Sequence, residues 1–258
     1  MTFDSLISFG SNLGRRHDFL TAAMELLWEI KGLENLVASD PIVTKAVGGP
    51  ENQPNFLNAV FRATTNLSAN ELHQQLIEIE DQLGRERRTR WGSRKIDLDL
   101  LLHGAVELLK PDLVVPHPRM SFRRFVLKPA MEIAGDMVHP LSGCTVAELF
   151  EKISSENRRI VIAGTAGGKA EWLSLMKDLR FGNSDAVKYS REQFVEVKHP
   201  DDLVPLESQS ALLVFDTTEF DSELHEVLIR FPGPTLNLTG KSETEKSKEI
   251  QAAVAALD

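Results

Sequence analysis

GRERRTRWGSRKIDLDLLLHG, residues 84–104, joins an arginine cluster to an apolar run that carries two aspartates. Residues 85–95 hold five arginines (Arg85, Arg87, Arg88, Arg90, Arg94) and Lys95 against one acid, Glu86. The following run, 96–102, is apolar except for Asp97 and Asp99 and reads as a buried strand. Side chains alternate along a strand, so both aspartates point to one face with Cα atoms roughly 6.5–7 Å apart. Two carboxylates beside excess positive charge suit a divalent cation held against a polyphosphate: carboxylates for the metal, guanidiniums for the phosphate oxygens. An arginine run by itself is also compatible with a solvated loop, and an aspartate pair with the outer face of a half-exposed sheet. Ile96, Leu98, Leu100, Leu101 and Leu102 argue for burial, where carboxylates without a cation are costly.

Upstream of that stretch, Ser68 with Glu71 three residues on forms a capping box that starts a helix. Leu72, Leu76, Ile79 and Leu83 supply its apolar stripe, and Gly84 provides its stop. Residues 6–9 read as a short strand and 16–30 as a helix, with Leu20, Ala23, Leu27 and Ile30 on one face. Two strands are expected at 36–47 and 56–64, separated by the turn-rich loop 48–54. The order β-α-β-β-α-β is that of a ferredoxin-like α+β sandwich, an antiparallel sheet with both helices on one face. Thr145 and Glu148 make a second capping box.

Near residue 157 the pattern changes to apolar strands alternating with helices. Strands are expected at 160–163, 194–197, 211–215 and 235–238, and helices at 169–179, 222–229 and 243–257. This predicts two domains, 1–157 and 158–258, the second a small parallel α/β domain, Rossmann-like or degenerate P-loop-like. A net charge of −9 argues against general nucleic-acid or membrane affinity. The one cysteine, Cys144, excludes an intramolecular disulfide and a cysteine metal site. With no leader-like N-terminus and no apolar run near the roughly 18–20 residues a membrane span needs, a cytoplasmic location is expected.

Five motifs occur in a familiar order: GSNLG (10–14), GPENQPNFLNAV (49–60), GRERRTRWGSRKIDLDLLL (84–102), VPHPRM (115–120) and RRFVLKP (123–129). Together they closely resemble the 6-hydroxymethyl-7,8-dihydropterin pyrophosphokinase family of folate biosynthesis, whose fold is the same ferredoxin-like sandwich. The resemblance implies transfer of a pyrophosphoryl group from ATP to the hydroxymethyl oxygen of the pterin, with release of AMP. It implies that Asp97 and Asp99 hold two Mg²⁺ ions, that Arg85 and Arg94 act with them in catalysis, and that Glu80, Trp91, Ile96, His117 and Arg123 join those arginines at ATP. It assigns Gly48, Phe56, Asn58 and Phe125 to the pterin, with the phenylalanines stacking on the ring. Read without the resemblance, His117 between two prolines is a turn histidine, both phenylalanines are core residues, and Glu80 is structural.

The chain departs from the family pattern in three places. Lys45-Ala46-Val47-Gly48 replaces a Thr-Pro-Pro-like run, Ser121-Phe122 replaces a His-Glu-like pair, and Ser93 replaces a proline. The last change is expected to loosen the catalytic loop. In the second domain, IVIAGTAGGKA (160–170) is similar to a P-loop, but Ala163 stands for the first glycine and Ala170 for the metal-binding hydroxyl. A degenerate nucleotide-fold module for packing or assembly is expected. Nucleotide or phosphate binding at residues 164–169, or an independent activity, is the alternative. Self-association or contact with a folate-pathway partner is open to such a module, while 159–258 is too short for a pterin-binding barrel. Two rivals of another class remain for the first domain: an RNA-binding ferredoxin-like module, which the two aspartates disfavour, and a catalytically retired scaffold.

Overall fold

The computed structural model describes residues 1–50, 52–85, 92–155, 159–164, 193–203, 211–216 and 222–257. They form two compact units, 1–120 with 125–140, and 121–124 with 141–258.

The first unit is the expected ferredoxin-like sandwich. Its elements run β1 (Phe3–Ser11), α1 (Arg16–Glu29), β2 (Leu33–Ala38), β3 (Ile42–Thr44), β4 (Phe56–Thr65), α2 (Ala69–Gln82) and β5 (Asp97–His103). The strand order is β2-β4-β1-β5, with β3 also on β4, and every pairing is antiparallel. Strand alternation sorts the side chains into two faces. Ile7, Phe9, Leu57, Ala59, Phe61, Leu98 and Leu100 join Ala23 and Leu27 of α1 and Leu72, Leu76 and Ile79 of α2 in one core. The opposite face carries Ser8, Gly10, Phe56, Asn58, Asp97 and Asp99. Burial of Leu98 and Leu100 on the helix side thus coexists with partly buried Asp97 and Asp99 on the other.

The single strand expected at 36–47 is instead two. The Ser39-Asp40-Pro41 step divides it, because a proline has no N–H to offer a ladder. Ser39 keeps the edge attached, its N–H donating to Val60 O at 2.9 Å and its Oγ accepting from Val60 N at 3.0 Å. Both capping boxes form, at Ser68–Glu71 and Thr145–Glu148. A small hairpin, β6 (Leu108–Leu109) and β7 (Val114–Val115), and helix α3 (Arg124–Ala134) follow. Arg62 ties α3's end to β1, its guanidinium reaching Asp4, Asp136 and Ile133 O.

The second unit contains α4 (Val146–Ser154), β8 (Arg159–Gly164), β9 (Gln193–Glu196), β10 (Ala211–Phe215), α5 (Ser222–Ile229), β11 (Thr235–Asn237) and α6 (Glu243–Ala256). Its sheet is parallel throughout, in the order β11-β10-β8-β9. By contacts, 141–157 group with the second unit, as do 121–124. The reason is packing: α4, with Val146, Leu149 and Ile153 buried, lies against β10. The helix expected at 169–179 lies outside the described residues.

Candidate active site

The site is assembled at one end of the sheet face opposite the helices, where β1 ends and β4 and β5 begin. Register places Gly10 directly opposite Asn58 on one side and Asp97 on the other. Gly10 does not have a positive φ, so conformation does not demand glycine there. A Cβ at Gly10 would lie 3.5 Å from Asn58 Oδ1, 3.8 Å from Asp97 Cβ and 3.8 Å from Phe56 Cδ1. Its missing side chain leaves a slot with an aromatic ring and an amide on one flank and a carboxylate on the other, as strand glycines do where a ligand approaches closely.

The charged flank begins at the end of α2. Gly84 takes φ +74, its N–H bonds Asp81 O at 3.0 Å and the Arg85 N–H bonds Glu80 O at 2.9 Å. This is a Schellman stop, and it turns Arg85 back over Glu80. Glu80 is 1% exposed. Its Oε1 accepts from Arg85 Nη1 and, at 2.7 Å, from Leu98 N, stitching the helix end to β5. Arg85 Nη2 continues to Asp97 Oδ1 at 2.6 Å, and Arg94 Nη1 holds the other oxygen, Oδ2, at 2.5 Å. The Arg94 guanidinium also lies 5.8 Å from the Phe56 ring centroid. Two guanidiniums thus meet two carboxylates, Glu80 and Asp97, and a metal-bound phosphate can exchange with Asp97 for their N–H groups.

Asp99, opposite Ser8, faces His117 Nε2 at 3.9 Å. The His117 N–H donates to Leu101 O at 2.9 Å, and its Nδ1 accepts from Arg119 N at 3.2 Å. That acceptor role assigns the proton of a neutral ring to Nε2, on the Asp99 side. The histidine is thus anchored to β5 as well as turned between prolines.

Across this end of the sheet, Asn12 joins three segments. Its N–H donates to Arg94 O at 3.0 Å and its Oδ1 accepts from Arg94 N at 2.8 Å. Its Nδ2 reaches Pro54 O and Ser93 Oγ, both at 3.2 Å. Asn58 Nδ2 donates to Thr44 Oγ1 at 2.8 Å, which turns Oδ1 toward the Gly10 slot.

A model of the 7,8-dihydro-6-hydroxymethylpterin-pyrophosphokinase (HPPK) family matches residues 6–135. The chain belongs to the HPPK family. A 2-amino-4-hydroxy-6-hydroxymethyldihydropteridine pyrophosphokinase of Synechocystis sp. is 38% identical over 58% of this chain and 75% of its own length. The folic acid synthesis protein fol1 of Pneumocystis carinii is 40% identical over 60% of this chain, but only 21% of that longer protein is covered. A solved HPPK-DHPS structure from Plasmodium falciparum aligns at a TM-score of 0.46 and 10% identity, over 89% of this chain and 70% of that one.

Within the HPPK unit the structure brings Glu80, Arg85, Arg94, Asp97, Asp99 and His117 together at β5, with Phe56 and Asn58 across Gly10. Ile96 is buried in the helix-side core. Phe125 is half-buried in the first turn of α3. Gly48, at φ +70, accepts from Gln53 Nε2 through its carbonyl at 3.0 Å. Arg123 falls in 121–124, which groups with the second unit. Trp91, Arg87, Arg88 and Arg90 lie outside the described residues.

Reading the HPPK motifs alone leaves out Gly10 and Asn12 as working residues. Their residue types close an apolar strand, but the distant segments they face cannot be read from the chain. The Ser93 hydroxyl accepts from Asn12 and donates to Gln53 Oε1 at 3.2 Å, contacts that a proline at this position could not make.

The second unit has its own charged cluster where β10 ends. Asp216 is 4% exposed and pairs with Lys246 of α6 at 3.2 Å, and Lys246 also meets Glu243 at 2.9 Å. Gly164 ends β8 beside it, and residues 165–169 lie outside the described residues.

Proposed function

We propose that the first unit transfers the pyrophosphoryl group of ATP to the hydroxymethyl oxygen of 6-hydroxymethyl-7,8-dihydropterin, releasing AMP. The observation that carries this reading is the Asn58–Gly10–Asp97 row, an aromatic-amide patch one empty residue away from a carboxylate-guanidinium cluster. A flat heterocycle on Phe56 and Asn58 puts its substituent beside a triphosphate on Arg85 and Arg94. The acceptor oxygen attacks the β-phosphorus in line and AMP departs, so the protein's work is positioning and neutralisation of charge.

Each residue then has a task. Asn58 Oδ1 accepts from the pterin edge, and Phe56 and Phe125 supply faces for the ring. Arg85, oriented by Glu80, and Arg94 bind phosphate oxygens, and their hold strengthens as charge moves toward the leaving group. His117 donates from Nε2 to a phosphate oxygen near Asp99. Asp97 and Asp99 would hold Mg²⁺, in the two-ion arrangement of the resemblance. The donor set fits: Mg²⁺ takes one or two carboxylates plus phosphate and water oxygens, and Asp97 and Asp99 lie on one face of β5. Magnesium bound with the nucleotide supplies charge neutralisation at the triphosphate.

The second unit fits a degenerate nucleotide fold retained for packing or assembly. In open parallel sheets ligands sit at the carboxyl ends of the strands, and here that position holds the buried Asp216–Lys246 pair. No helix among the described residues is long and apolar enough to cross a membrane, and a cytoplasmic setting belongs to the same proposal. The deciding experiment incubates the protein with Mg²⁺-ATP and 6-hydroxymethyl-7,8-dihydropterin and identifies the nucleotide product. AMP formed one-for-one with a pterin diphosphate is expected. ADP, or no turnover, would overturn the reading.

A further inference from the structure

We propose that Ser93 is a positioning residue that couples the pterin-side loop bearing Gly48 to the triphosphate-side segment bearing Arg94 and Asp97. The proposal rests on the pyrophosphoryl-transfer reading, which assigns the two segments to different substrates.

The argument is one of donors and acceptors. Asn12 is 2% exposed and is held to Arg94 by a reciprocal pair of hydrogen bonds, so its side chain is a fixed post. Its amide has two hydrogens and three acceptors within reach: Pro54 O and Ser93 Oγ at 3.2 Å and Gln53 Oε1 at 3.5 Å. The two nearer acceptors take the hydrogens, which leaves Gln53 Oε1 to the Ser93 proton at 3.2 Å. Gln53 Nε2 then donates to Gly48 O at 3.0 Å. The relay runs Asn12 to Ser93 to Gln53 to Gly48 with one direction of donation throughout. Only a hydroxyl can both accept from Asn12 and donate to Gln53 at that point, and alanine or proline does neither.

Ser93 precedes Arg94, whose guanidinium rests on Asp97. A phosphate that draws Arg94 off Asp97 shifts its chain neighbour Ser93, and through Gln53 alters the hold on Gly48. Nucleotide binding and pterin binding are therefore linked, and the link is reciprocal.

The test measures the affinity for 6-hydroxymethylpterin by calorimetry, with and without Mg²⁺ and α,β-methylene-ATP, in the wild type, Ser93→Ala and Ser93→Thr. In the wild type the nucleotide analogue should tighten pterin binding. Ser93→Ala should reduce that tightening about fivefold, the worth of one hydrogen bond, raising the pterin KM more than it lowers kcat, and Ser93→Thr should restore it. Gln53→Ala should produce the same loss, with no further loss in the double variant. Equal tightening in wild type and Ser93→Ala would overturn the proposal. So would a loss of pterin affinity that is the same with and without nucleotide, the mark of a merely structural role. If the wild type forms no AMP, the functional reading fails and takes this inference with it. AMP formation with unaltered coupling sinks the inference alone.

Discussion

Asp97 and Asp216 each adjoin an apolar strand, and the surroundings of the two are built in opposite ways. Asp97 opens β5, its side chain is 18% exposed, and it lies between two guanidiniums. Asp216 follows β10, its side chain is 6% exposed, and it is matched by the ammonium of Lys246. The first carboxylate sits in a partly accessible cluster where Arg85 and Arg94 meet Glu80 and Asp97, and it can exchange partners with a metal-bound polyphosphate. The second is sealed into a buried pair, where breaking the partnership costs more than forming it contributes. A strand with an aspartate is thus not a site in itself. Access and the charge placed around it decide.

The sharpest way to break this contrast is to truncate both acids. Asp97→Ala should lower kcat about a thousandfold, because charge neutralisation at the triphosphate is worth several kcal/mol, while cooperative unfolding is retained. A variant keeping more than about a tenth of the rate would remove Asp97 from the chemistry. Asp216→Ala should instead cost about 3 kcal/mol of stability in urea unfolding, since Lys246 keeps Glu243 but loses its buried partner. Its rate of AMP formation should stay within about twofold of wild type, as for sites with separate cores. A large rate loss in that variant would give the second unit a part in the reaction.

Acid should separate the units by stability. The two buried histidines described, His103 and His139, both belong to the first unit. Burial holds His139 down to about 4 and also lowers His103. A histidine whose folded value lies below its unfolded one binds its proton more readily when unfolded, so stability falls as pH drops below about 6.5 and stops falling near the folded value. For His139 the loss reaches about 3 kcal/mol at most. Urea midpoints at pH 7 and pH 4.5 should show this loss in the wild type and a flatter profile in His139→Gln. Equal profiles would mean that the ring is protonated without cost.

The smallest effect should come from Gly10→Ala. The added methyl makes only ordinary contacts with Asn58, Asp97 and Phe56. Folding should be unimpaired or improved by up to about 1 kcal/mol, as expected for alanine in a strand. The slot between pterin and triphosphate is nonetheless filled, so AMP formation should fall at least about tenfold. An unchanged rate would show that no ligand occupies the slot.

These tests lean unequally on sequence and structure. Both capping boxes, the Gly84 stop and the shared face of Asp97 and Asp99 were legible in the chain, because each rests on residues within a few positions of one another. The family motifs named most of the site for the same reason. The break at Ser39-Asp40-Pro41 is signalled by its proline but masked by the apolar residues on either side. The empty row at Gly10, Asn12 as the post between loops, Glu80 as the support of Arg85 and the attachment of α4 to the second unit were not legible. Each depends on which distant strands pair, in which register, and on which helix face finds a core. A residue's own type and spacing state what it can bond. Only the tertiary structure decides which partner reaches it and whether water does too, and that separates Asp97 from Asp216.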